Sequence, residues 1–351
     1  MTRQVNINGL TIGGDAPVRV ESMLKTRLNN RDECVAQCNS LLNAGCELAR
    51  VAFPDKKFFD DLKYLVANTK LTLMADIHFD PELALLAMEA GCKSIRINPG
   101  NMILSALENV ISTAKNLGVV IRIGANGGSV SYDQLNAAKG DRAKALFIAV
   151  SEQAELLLSR NFENMILSAK SSDVQECINA NVLIHERYKD FPKHIGLTEA
   201  GYGDGGIVKG VACVSNLLLK GIGDTLRISL TDEPEREIKI GYEILKALNL
   251  RTRGVNFISC PTCGRRRAEV KELVKIVEPL LKFMPDGVSV AVMGCEVNGP
   301  KEAQHAEYGI AGTPKGAILF KSGETVGEYD IDTLKNILPE FLGIKDFINK
   351  E

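Results

Sequence analysis

The chain contains no apolar run approaching the roughly 18 residues that a bilayer span needs. Nor does Met1-Thr2-Arg3-Gln4 lead into the apolar core of a secretory signal. Both absences predict a cytoplasmic protein. An excess of either charge is missing too: 42 Lys and Arg face 44 Asp and Glu, a formal net charge of −2. Neither nucleic acid nor an anionic membrane is therefore expected as the main partner, and any anion site must be a local gathering of Lys and Arg. A paired disulfide framework is also lacking, because nine cysteines is an odd number and 351 residues bury a core without staples. Cys34, Cys38, Cys46, Cys92, Cys177 and Cys213 sit in helical or helix-end patterns and read as small core hydrophobes. Finally, no glycine-rich phosphate turn follows the first strand, which argues against a doubly wound open sheet.

What is present is ordinary globular composition, 45% hydrophobic and 25% charged, in a length that predicts two domains or a large barrel with an appendage. Short Val/Ile/Leu-rich runs recur at Val18-Met23, Glu47-Phe53, Leu71-Phe79, Ser94-Asn98, Val119-Gly124, Met165-Lys170, His194-Glu199 and Thr225-Leu230. Between them apolar residues fall three or four apart, as in Phe58, Phe59, Leu62 and Leu65, or Ile238, Tyr242, Leu245 and Leu248. Asp80-Pro81 and Ser171-Ser172-Asp173 mark helix starts; Gly45, Gly91, Gly118 and Gly221 mark stops. Strand and helix alternating eight times predicts a (β/α)8 TIM barrel over residues 1–250. The one long gap, after the fifth strand, carries two helical patterns near Ala145-Ala149 and Ala154-Leu158. A weak repeat, Ala44-Gly45-Cys46 through Arg50 against Ala90-Gly91-Cys92 through Arg96, fits the same scheme.

Beyond Leu250 the pattern changes, with Arg251-Thr252-Arg253-Gly254 as a connector. A strand (Val255-Ser259), a helix (Arg267-Met284), a strand (Val288-Met293), strand-like runs near Gly309 and Ala317, and a helix from about Ile331 predict a small α/β domain over 251–351.

Barrel strands are buried on both faces, so charge within them must be paired or must reach a site. Arg50, Arg96, Arg122 and Arg227 stand near the C-terminal ends of four strands, and Lys170 ends another. Five cations at equivalent places converge on the face where barrel active sites lie, with Asn126 and Ser229 beside them as neutral donors. The guanidinium fork fits phosphate oxygens, so the substrate is expected to be a multiply charged phosphate. Asp76, His78 and Glu199 lie on the same rim. Each can supply or take a proton if desolvated among cations, or can simply neutralise the arginines.

Cys260-Pro261-Thr262-Cys263 follows one strand of the second domain and Cys295 follows another. Three thiolates so placed have three candidate roles: a zinc site, an iron-sulfur cluster, or a thioredoxin-like redox pair, which does not need Cys295. Zinc lacks a fourth ligand in a matching turn, whereas a 4Fe-4S cluster on three thiolates keeps one iron open. Downstream, Glu302 is placed to return a carboxylate to such an iron, though spacing alone reads it as a surface residue. A phosphate-binding barrel enzyme with a structural zinc module, or an iron-sulfur electron carrier, is the alternative on residue chemistry alone.

At these residues the chain resembles the 4-hydroxy-3-methylbut-2-enyl diphosphate synthase family, iron-sulfur enzymes of the methylerythritol phosphate route to isoprenoids, in its short two-domain bacterial form. The resemblance spans essentially the whole chain. It rests on Ala75-Asp76-Ile77-His78-Phe79-Asp80, Arg96-Ile97-Asn98-Pro99-Gly100-Asn101, Thr198-Glu199-Ala200-Gly201, Gly223-Asp224-Thr225-Leu226-Arg227, Cys260-Pro261-Thr262-Cys263, Gly294-Cys295 and Asn298-Gly299-Pro300. It implies reductive opening of the ring of 2-C-methyl-D-erythritol 2,4-cyclodiphosphate with two electrons and loss of water. It further implies a 4Fe-4S cluster on Cys260, Cys263 and Cys295, completed in the free enzyme by Glu302, which gives way to substrate. Arg50, Arg96, Arg122, Asn126, Lys170, Arg227 and Ser229 match positions that hold the diphosphate, and Glu199 the acid associated with protonation. By the same resemblance the protein forms a homodimer, the cluster domain of one chain over the barrel of the other, and takes electrons from flavodoxin or ferredoxin. Two departures stand out. Lys301 replaces a Gly just before Glu302, which strains the turn if a positive φ is needed there. Glu21 and Lys25 replace the usual Gln and Asn of the first strand, and both are left out of the expected site.

Overall fold

The structure, a computed structural model, describes residues 1–295 and 303–348. It divides into two compact units, Met1–Arg251 and Thr252–Glu351.

The first unit opens with a hairpin, β1 (Val5–Ile7) and β2 (Leu10–Ile12), that hydropathy alone did not reveal. Eight parallel strands follow: β3 (Arg19–Met23), β4 (Leu48–Ala52), β5 (Thr72–His78), β6 (Ser94–Ile97), β7 (Val120–Asn126), β8 (Met165–Lys170), β9 (His194–Ile195) and β10 (Thr225–Leu226). They pair in the order β8-β7-β6-β5-β4-β3-β10-β9, and a single Leu167–Lys193 bridge joins the ends into a barrel. Helices α1 (Arg31–Ala44), α2 (Phe59–Asn68), α3 (Pro81–Glu89), α4 (Leu104–Leu117), α5 (Tyr132–Ala137), α6 (Arg142–Leu158), α7 (Val174–Arg187), α8 (Gly203–Leu219) and α9 (Pro234–Ala247) connect them. Local chemistry sets their ends. The Asp80 carboxylate accepts from the Glu82 and Leu83 amides with Pro81 in the first turn, and Gly45 and Gly118 close α1 and α4 in the left-handed region.

Two expectations need correction. The seventh and eighth strands are two residues each, because the chain leaves the ladder at Gly196 and Arg227 to build loops at the barrel mouth. The long gap holds one continuous helix, α6, preceded by the short α5; Ser151-Glu152-Gln153 only interrupts the apolar stripe that buries Leu146, Val150, Ala154 and Leu157. Between β1–β2 and the lower barrel, Val5, Ile7 and Ile12 pack on the inward side chains Leu48, Met74, Val120 and Ile166. The hairpin therefore plugs the N-terminal end of the barrel.

The second unit is a five-stranded sheet in the order β11 (Asn256–Ser259), β12 (Ser289–Met293), β13 (Tyr308–Thr313), β14 (Gly316–Lys321), β15 (Glu324–Tyr329). The first three strands run parallel and the last three antiparallel. Strand β15 was missed in the sequence because it is an exposed edge with no apolar alternation. The helix expected over Arg267-Met284 is α10 (Val270–Val277) followed by a 3₁₀ turn, Glu278–Phe283. Pro279, lacking an N–H, cannot continue the α-helical ladder. The last two helices are α11 (Ile331–Phe341) and α12 (Lys345–Ile348).

In the β13–β14 pair Gly309 lies opposite the buried ring of Phe320, and an added Cβ would fall 1.8 Å from its Cζ. Gly309→Ala is therefore expected to cost about 1–3 kcal/mol by overpacking. The check is denaturant unfolding of the purified variant; unchanged stability would mean that the ring is free to move aside.

Candidate active site

Inward positions on the barrel strands change character along their length. Leu48, Met74, Val120 and Ile166 form the apolar lower layer. Two residues further on, the same face presents Arg50, Asp76, Arg122 and Ser168, and then Gly124, Asn126 and Lys170, since a strand repeats its facing every second residue. The result is a cavity of about 250 Å³ at the C-terminal ends of the strands. All of Arg50, Arg96, Arg122, Asn126, Lys170, Arg227 and Ser229 line it, together with Asp76, His78, His194 and Thr198.

Carboxylates hold the arginines in place. Asp76 forms an ion pair with Arg50, Oδ2 to Nε 3.3 Å, and accepts from Arg96 Nη1 on Oδ1 at 3.5 Å. Glu21 accepts from Arg122 Nη1 at 2.6 Å. Glu237, from α9, lies 3.4 Å from Arg227 Nε and also accepts from the Leu230 amide at 2.9 Å. Lys170 has no ion pair among the described residues. Burial, with Arg50, Arg227 and Arg122 around it, drives its ammonium well below the ordinary lysine value. Burial likewise lowers Arg50 to about 10, although Asp76 opposes the shift. For Asp76 and Glu21 burial pulls upward, but the facing arginines win and hold both carboxyls below their ordinary values.

The β5–β6 register shifts between Asp76 and His78, whose backbone adopts φ +69°, and His78 lines the cavity. Arg96 Nη1 lies 2.7 Å from His78 Nδ1. A guanidinium can only donate, so Nδ1 is the acceptor and the imidazole proton sits on Nε2, 3.8 Å from Asp76 Oδ2. Burial, Arg96 and Arg50 lower the His78 pKa against the pull of Asp76, which matches this neutral form.

Sequence reasoning missed two of these groups. Glu21 was set aside, yet it is buried on the barrel axis; Glu237 gave no signal because one acid on an amphipathic helix looks like surface. The carboxyl expected among the cations, Glu199, is instead exposed, at φ +52° in the loop after β9, and it does not line the cavity. Glu302 and Lys301 lie outside the described residues. Because Asp76 is buried and shared by Arg50 and Arg96, Asp76→Asn is expected to lose about 3 kcal/mol of stability at pH 7. A carboxyl lowered on folding stabilises above its unfolded value and stops doing so as pH falls through the folded one. The deficit should thus be full above pH 3.8, the ordinary aspartate value, and shrink below it; urea melts across pH 3 to 7 check this, and a pH-independent deficit would contradict it.

In the second unit, Cys260 follows β11 and Cys295 lies just beyond β12, its parallel neighbour. The Cys260 amide donates to Val292 O at 2.9 Å and the Arg267 amide to Gly294 O at 2.8 Å, folding the Cys260–Cys263 turn over the end of β12. A Cβ added at Gly294 would lie 3.7 Å from Cys260 Sγ. All three thiols are free, Cys263 exposed and the others half-buried, unlike the six buried cysteines of the barrel. Among the described residues no three ligating side chains converge as a single ion requires. Three thiols on two neighbouring turns are donors of the kind iron-sulfur centres use.

Comparison with known proteins agrees with this division. Residues 2–242 match the GcpE TIM-barrel domain and residues 256–342 the GcpE protein C-terminal domain. A 4-hydroxy-3-methylbut-2-en-1-yl diphosphate synthase (flavodoxin) of Maridesulfovibrio salexigens is 43% identical over 351 residues, covering 100% of this chain and 97% of the relative. Enzymes of the same name from Hydrogenobaculum sp. and Thermotoga maritima are each 41% identical, over 97% of this chain and 96% and 98% of theirs. Among solved structures, dihydropteroate synthase from Stenotrophomonas maltophilia superposes with a TM-score of 0.52 at 15% identity, over 71% of this chain and 97% of that one, a likeness of fold only. The described residues include no helix long and apolar enough to cross a membrane. With both domains matched in order and two fifths of residues shared over its full length, the chain belongs to the GcpE family.

Proposed function

We propose that the barrel cavity seats a cyclic diphosphate and that the cysteine turns of the second unit carry a 4Fe-4S cluster serving it. The protein is an oxidoreductase that converts 2-C-methyl-D-erythritol 2,4-cyclodiphosphate to 4-hydroxy-3-methylbut-2-enyl diphosphate, in isoprenoid precursor synthesis. Two electrons and two protons enter, the ring carbon–oxygen bond to the diphosphate opens, and one water leaves. The observation that carries the reading is five cations, on or just past the ends of five strands, lining one cavity in a chain of this family.

In this reading Arg50, Arg96, Lys170 and Arg227 grip the diphosphate oxygens, Arg122 forms the floor, and Asn126 and Ser229 add neutral donors. Asp76, Glu21 and Glu237 are paired with the four arginines, while Lys170, whose ammonium form burial and three of those arginines disfavour, gains a counter-charge when the diphosphate arrives. Because the arginines are pinned beforehand, little reorganisation is needed when the anion arrives. Neutral His78, with its proton on Nε2, is a donor at the rim. Glu199, next to the cavity-lining Thr198, is the group we assign to protonation. Cys260, Cys263 and Cys295 would hold the cluster, with Glu302 as the fourth, exchangeable ligand. When bound, the cluster supplies the electrons and an open Lewis-acid iron.

Flavodoxin is the donor we assign, from the names of the relatives. We also assign a homodimer in which the cluster unit of one copy serves the barrel of its partner. Supporting it, Phe79, Ile103, Tyr132 and Tyr202 expose large apolar surface in the segments that follow β5, β6, β7 and β9 at the mouth face.

Anaerobically purified protein should be brown, contain iron and acid-labile sulfide, and turn over the cyclodiphosphate with a chemical reductant. Cys263→Ser should lose iron and activity together. A colourless, zinc-containing protein would overturn the cluster assignment.

A further inference from the structure

Glu21 remains when the cavity lining is accounted for. It does not line the cavity, yet it is 1% exposed in the middle of the barrel. Its Oε2 accepts from Arg122 Nη1 at 2.6 Å, and its Oε1 lies 3.4 Å from His194 Nδ1, itself 2.8 Å from Thr225 Oγ1. The Arg122 side chain is only 2% exposed, so nearly all of its freedom is spent between Glu21 and the cavity floor. A buried guanidinium paired this closely presents donors but almost no net charge, whereas Lys170 has no ion pair among the described residues.

We propose that Glu21 is a positioning residue for anion binding: it fixes Arg122 as the floor of the cavity and cancels its charge. This rests on the cavity being the diphosphate seat. By cancelling one charge Glu21 weakens the grip on the dianionic ring, and it weakens the grip on the linear diphosphate, which carries more charge, by more. Product therefore leaves more readily than it would from an uncancelled seat.

The test is binding of the cyclodiphosphate to anaerobic holoenzyme without reductant, by calorimetry at several salt concentrations. Glu21→Gln keeps an acceptor for Arg122 and removes the charge. It should bind roughly tenfold more tightly, with a steeper loss of affinity on adding salt. Glu21→Asp keeps the charge and shortens the reach, so it should bind more weakly with the parental salt slope. A Glu21→Gln protein with parental affinity and slope overturns the proposal, since a merely structural ion pair would change stability alone. If that variant fails to fold, Glu21→Asp decides, and parental affinity there overturns the proposal. Lys170→Gln separates the two readings: weaker binding by this variant with no change in the Glu21 variants refutes only the role of Glu21. Parental binding by Lys170→Gln refutes the seat itself, and the proposal with it.

Discussion

Five cations can share the inside of one barrel only because carboxylates are buried with them. An unpaired guanidinium in a protein interior costs several kcal/mol, and TIM barrels ordinarily fill the interior with branched apolar side chains. Here the lower layer keeps that filling, sealed by the β1–β2 hairpin, while Glu21, Asp76 and Glu237 support the upper layer. Apolar burial secures the barrel at one end. The same strands spend stability at the other to hold charges in fixed directions.

The pairs are unequal, and the inequality has chemical meaning. Asp76 is shared by two arginines at 3.3 and 3.5 Å, so each keeps donors for a ligand, whereas Arg122 is held tightly at 2.6 Å. Lys170 stands among Arg50, Arg122 and Arg227 with no ion pair among the described residues. An arriving dianion supplies the counter-charge that the fold withholds there. The seat is thus geometrically complete and electrostatically incomplete, which is how a rigid site favours one class of ligand.

Much of this was legible in the sequence for a simple reason. Strand periodicity places Arg50 two residues beyond Leu48, Arg122 beyond Val120, and Lys170 four beyond Ile166, so a charge following an inward apolar residue must face the same interior. The cations and the barrel could be read together. Their supports could not, because Glu21 and Glu237 become site residues only through partners 101 and 10 positions away. Short strands such as β9, the edge strand β15 and the β1–β2 hairpin escaped for a related reason: tertiary pairing defines them more than local pattern does. Glu199, beside Thr198 in the sequence, is exposed in the loop after β9 with its backbone in the left-handed region.

The most direct measurement is a crystal structure of the anaerobic holoenzyme with the cyclodiphosphate bound and no reductant. The account predicts diphosphate oxygens within hydrogen-bond distance of Lys170 and of at least two of Arg50, Arg96 and Arg227, with Asp76 and Glu237 still paired as they are without ligand. A diphosphate seated elsewhere, or arginines that abandon their carboxylates to reach it, would contradict the claim that the barrel builds its anion seat in advance.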